Sequence, residues 1–122
     1  GYTYLLDWCH DDQPTWLNTR QGKILSVPYP QEINDIPAIA VRRASAAEFA
    51  DMIMDNFDEM AEQANHQPLV FGIALHPYIV GQPFRLRHLR RALTHIADQA
   101  RQHPEHIWLT HPGAIARLSY LS

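Results

Sequence analysis

Gly72-Ile73-Ala74-Leu75-His76-Pro77-Tyr78 decides how this chain is read, because a short apolar run delivers a histidine directly onto a proline. Val70, Phe71, Ile73 and Leu75 read as a strand over 69–75 covered on both faces. The change to His76-Pro77-Tyr78 sets an ionisable ring at the strand's carboxyl end, where open α/β sheets and barrels bind ligands. A lone histidine is more often structural than catalytic, so the position needs company. Tyr2 to Leu6 is a second strand-like run, and it too ends in ionisable residues, Asp7-Trp8-Cys9-His10-Asp11-Asp12.

The 122 residues make one domain at most, long enough for a real core. A net charge of −3 gives no general attraction to nucleic acid. No apolar run approaches the ~20 residues of a membrane span. The single cysteine cannot form an internal disulfide, and no cationic-then-apolar leader is visible. A cytoplasmic setting is therefore the expectation, with neither nucleic acid nor membrane as a partner.

Further strands are expected over 1–6, 23–27 and 107–110. Between the first two lies a polar loop, and prolines 28, 30 and 37 make 26–37 an irregular loop. Ser45-Ala46-Ala47-Glu48 is a capping box that starts a helix over 46–64. Its apolar stripe runs through Phe49, Ile53, Phe57 and Met60, with Asp51, Asp55, Glu59 and Glu62 on the solvated side. After a loop holding Pro77, Gly81 and Pro83, a second helix spans about 85–102, and Pro112 starts a third that runs to about 118. Strands alternating with helices argue for parallel βα units. About four strands cannot close a barrel. The pattern fits either a small open α/β domain or the carboxyl-terminal part of a larger barrel.

Three long strings occur in order: Tyr4-Leu5-Leu6-Asp7-Trp8-Cys9-His10-Asp11-Asp12-Gln13-Pro14, then Ser26-Val27-Pro28-Tyr29-Pro30 with Glu32-Ile33-Asn34-Asp35-Ile36-Pro37, then Gly72 to Tyr78. Together with Trp108-Leu109-Thr110 and Pro112-Gly113-Ala114-Ile115-Ala116, they resemble the polysaccharide deacetylase superfamily, most closely its allantoinase-like branch. The resemblance covers nearly the whole chain. It implies an α/β fold: residues 1–122 as the carboxyl-terminal portion of a distorted (β/α) barrel, with about four mostly parallel strands and three helices.

It also implies a hydrolase of non-peptide carbon–nitrogen bonds, acting on N-acetyl groups of sugars or on amide-like bonds of small heterocycles. By analogy His76 is the general acid that protonates the leaving nitrogen, and Asp7 is the carboxylate that orients it. Trp8, Asp11, Asp12, Tyr29, Glu32, Asn34 and Leu75 are the expected substrate-binding residues. The family's earlier motifs, an aspartate pair and a histidine pair that complete a metal site, have no counterpart here. No cofactor or metal ligand is thus assigned to the chain, and a divalent metal would rely on ligands upstream. The chain alone is expected to be inactive and to self-associate as a homo-oligomer.

Imidazole can exchange a proton near neutrality, which suits departure of an amine. The bland readings remain alongside. The aspartates can make turns, Trp8 can be core, and Glu32, Asn34 and Asp35 can cap loops. Arg85, Arg87, Arg90 and Arg91 read as a solvated helix face. Cys9 beside His10 and Asp11 reads as a buried small hydrophobe rather than a nucleophile. The rival reading from another class is a non-catalytic half-barrel module whose exposed sheet edges pair with another chain or with themselves.

Overall fold

The computed structural model describes residues 1–122 as a small mixed sheet and four α-helices. β1 (Tyr4–Leu5) pairs in parallel with β3 (Gly22–Ser26), and β3 pairs antiparallel with β2 (Thr15–Thr19), giving the order β1-β3-β2. β2 corrects the expectation of a polar loop. Trp16 and Leu17 lie within Thr15–Thr19, and a two-residue connection, Arg20-Gln21, folds the strand back onto β3. Gly22 closes that turn at φ +119°, a conformation that glycine adopts without strain.

The expected strand over 69–75 makes only one parallel bridge, Asn34 with Ala74. Residues 107–110 have no regular secondary structure and no strand partner, so they form no strand. The sheet therefore has three strands and is open, fewer and less parallel than expected. Alternation along 71–76 is plain. Phe71, Ile73 and Leu75 pack onto the helical core, while Gly72, Ala74 and His76 take the other parity. Gly72 allows close approach of the neighbouring loop, since a Cβ there would lie 3.1 Å from Cδ of Pro30.

The proline-rich loop is also more ordered than expected. Ile36–Val41 forms a π-helical turn in which the Arg42 amide donates to the Pro37 carbonyl at 2.9 Å. α1 (Ala46–Gln63) begins at the capping box. The Ser45 amide donates to Glu48 Oε2 at 2.9 Å, and the Glu48 amide donates to Ser45 Oγ at 3.0 Å. Two more helices follow where a loop and a later helix start were expected: α2 (Pro77–Val80) and α3 (Pro83–Gln102), each with proline in its first turn. α4 (Pro112–Leu121) ends the chain.

Two cores result. The larger joins Phe49, Ile53 and Phe57 of α1 with Leu89, Ala92 and Ile96 of α3, together with Ile33, Ile39 and Ile79. The smaller places Leu25, Val27, Tyr4 and Leu6 under Ala116 and Ile115 of α4. α1 and α3 are also tied at the surface, where Arg91 Nη1 donates to Asp51 Oδ1 at 2.8 Å and His95 Nε2 lies 2.7 Å from Asp58 Oδ1. No helix is long and apolar enough to cross a membrane.

Candidate active site

Two chain segments end side by side. Ala74 donates its amide to the Ile33 carbonyl at 3.0 Å, and Asp35 donates its amide to the Ala74 carbonyl at 3.2 Å, which is a parallel ladder. The next rung should join the His76 amide to the Asp35 carbonyl. By then residue 35 has turned helical, with φ −65° and ψ −29°, and its carbonyl points elsewhere. The side chain takes over the rung: the His76 amide donates to Asp35 Oδ2 at 2.7 Å.

The other oxygen, Oδ1, lies 2.7 Å from His76 Nδ1. An ionised carboxylate only accepts, so Nδ1 carries the proton of that bond. Nε2 is then the ring atom left to exchange a proton with anything that binds. Asp35 is fully buried, whereas the His76 side chain is 34% exposed, so a fixed anion lies behind a ring that reaches solvent. Such a carboxylate behind an imidazole sets both tautomer and orientation. Tyr78, on α2, adds its ring at 5.8 Å from the imidazole centroid, with an interplanar angle of 66°.

The carboxylate that holds His76 is thus Asp35, not Asp7. Asp7 lies exposed just past β1 and makes no hydrogen bond to His76. Its neighbour Trp8 is 57% exposed and stands outside both cores. Cys9 is exposed, which corrects the expectation of burial: β1 ends after two residues, and the following segment leaves the core. Asn34 is buried, and its Oδ1 accepts from the Ile36 amide at 3.2 Å, a local capping contact at the start of the π-turn. Leu75 turns its side chain onto the helical core. Asp11, Asp12, Tyr29 and Glu32 do come together, but in a separate cleft of about 450 Å³ against α1, whose lining includes neither His76 nor Asp35.

A metal does not fit the residues present. No three His, Cys, Asp or Glu side chains converge as ligands, and both oxygens of Asp35 are committed to His76.

Sequence reasoning placed Asp35 in the irregular loop, for substrate contact or loop capping, and not as the partner of His76. A signal was available in the prolines: Pro77 follows His76, and Pro37 follows Asp35 by two. Each residue is the N-cap of an element opened by proline. Two extended runs that stop in the same way are candidates to stop at the same place.

In sequence the chain is similar to a putative polysaccharide deacetylase, and its α/β fold is similar to that of two solved structures. A putative polysaccharide deacetylase of Schizosaccharomyces pombe (strain 972 / ATCC 24843) is 30% identical over 91% of this chain. The crystal structure of Puue allantoinase superposes on 96% of the chain with a TM-score of 0.82 and 29% identity. A probable polysaccharide deacetylase from Pseudomonas aeruginosa PAO1 does so over 96% with a TM-score of 0.81 and 27% identity. The chain spans 37% of the yeast protein and 38% of each of the two solved chains. No family model matches it.

Proposed function

We propose that this chain carries the proton-donating side of a hydrolase that cleaves non-peptide carbon–nitrogen bonds, within a barrel of the deacetylase type. The observation that carries the reading is the Asp35–His76 pair, which fixes one ring nitrogen and frees the other. Water adds to the substrate carbonyl, its proton passing to a base that lies outside the Asp35–His76 pair. As the carbon–nitrogen bond breaks, its electron pair stays on nitrogen and takes the proton from His76 Nε2. The imidazole is left neutral, still holding Nδ1–H against Asp35.

The test uses the full-length protein that contains this chain, assayed for acetate release from acetylated sugars and for hydrolysis of allantoin. His76→Ala is expected to lower kcat by ~10²–10⁴-fold, the usual contribution of general acid–base catalysis. The 122-residue chain alone is expected to turn over neither substrate. Turnover by the chain alone that vanishes in His76→Ala would show that it holds the base as well.

The second reading, a non-catalytic module, is favoured by the unpaired segment 107–110, where Trp108 and Leu109 are exposed. No turnover of either substrate by the unsubstituted full-length protein, with self-association of the chain, would select it.

A further inference from the structure

Tyr78 combines an exposed ring with a backbone that has little freedom. Its side chain is 66% exposed. Pro77 precedes it, Ile79 and Val80 after it are buried, and its own carbonyl accepts from Gln82 Nε2 at 3.0 Å. The amides of Ile79 and Val80 both donate to the His76 carbonyl, at 2.9 and 3.2 Å, so this turn is fastened to the histidine itself.

A large aromatic ring in water forgoes the burial that normally stabilises it. Here it stands tilted beside an imidazole that the buried Asp35 orients from behind. Both rings reach solvent at the start of α2, with their centroids 5.8 Å apart.

We infer that Tyr78 is a specificity-determining residue, the wall against which the ring of the substrate packs while its amide nitrogen meets His76. The inference rests on the reading of His76 as proton donor. The chemistry that fits is an amide borne on a ring with an accessible face: the C–H face of an N-acylated pyranose or the plane of a ureide heterocycle. Both present a face that packs on an aromatic surface, and an acyclic amide offers less of one. The contact belongs to the ring rather than to the phenol hydroxyl, which makes no hydrogen bond within the chain.

The experiment is a titration of the isotope-labelled full chain with tri-N-acetylchitotriose and, separately, with allantoin, following the ring signals of His76 and Tyr78 by NMR. At least one probe is expected to move both. Tyr78→Phe should bind within about twofold of the wild type, and Tyr78→Ala should bind about tenfold more weakly, the size of one aromatic contact. Because the side chain is exposed, Tyr78→Ala should fold normally, and its His76 signals without ligand should keep the Nδ1–H pattern set by Asp35. Equal binding by Tyr78→Ala, with His76 still responding, would overturn the wall and leave His76 in its role. No response of His76 to either probe would overturn both.

Discussion

Asp35 gives one carboxylate oxygen to the backbone of His76 and the other to its ring, both at 2.7 Å, across 41 residues of sequence. In Asp35→Asn only one oxygen remains, and the amide group must turn a donor toward His76. If the oxygen stays on the backbone, the new N–H faces Nδ1 and drives the ring proton to Nε2. The expected outcome is a change of tautomer visible in the imidazole nitrogen shifts, with kcat of the full-length protein falling with it. An unchanged tautomer would mean that Asp35 does not set the ring. Asp35→Ala additionally leaves the part-buried His76 amide without its acceptor, at a cost of about 1–3 kcal/mol in chemical denaturation.

The junction of α2 and α3 has no room for a side chain. A Cβ at Gly81 would run into the Pro77 carbonyl oxygen, a backbone atom that already accepts the Gly81 amide. Gly81→Ala should therefore displace α2, lower stability by roughly 1–3 kcal/mol as overpacking does, and shift the His76 and Tyr78 resonances together. Unmoved resonances would show that the junction does not govern the site.

The helix start at Ser45 offers a contrast, because its capping box lies at a surface remote in sequence from both site residues. Ser45→Ala removes the acceptor for the Glu48 amide and should cost about 1 kcal/mol. A lower urea midpoint with unchanged His76 signals is expected.

Exposed Tyr2, Trp8, Trp108, Leu109 and Leu121 leave much apolar surface in water, and β1 has no partner on its outer side. We expect the isolated chain to self-associate at micromolar concentration, most simply as a two-fold dimer. Sedimentation velocity decides, and a single monomeric species would refute it.

α1, α4 and most of α3 could be read from the sequence because their signals are local, whereas the single turn of α2 and the π-turn at Ile36–Val41 were hidden behind their prolines. The Ser45–Glu48 box, the stripe through Phe49, Ile53 and Phe57, and Pro112 lie within a few turns of what they specify. The place of His76 at the end of an apolar run was readable for the same reason, from the run stopping at a proline. Its partner was not, since choosing between Asp7 and Asp35 depends on which extended segment lies beside 72–76. That pairing is long-range and consists of one bridge and a side chain that completes the ladder. β2 was hidden because Asn18, Thr15 and Thr19 give it little apolar alternation, and its pairing with β3 comes from the turn. Residues 107–110 look like a strand by composition, but composition cannot supply a neighbour.

The substitution of a carboxylate for a carbonyl in the Asp35–His76 rung turns one backbone proton into a reporter. Most protected amides lose protection when a helix frays or a sheet opens, whatever the state of the side chains. The His76 amide exchanges with solvent only when the Asp35 side chain lets go. Its exchange rate thus measures how often the pair comes apart in the folded protein, without substrate and without turnover.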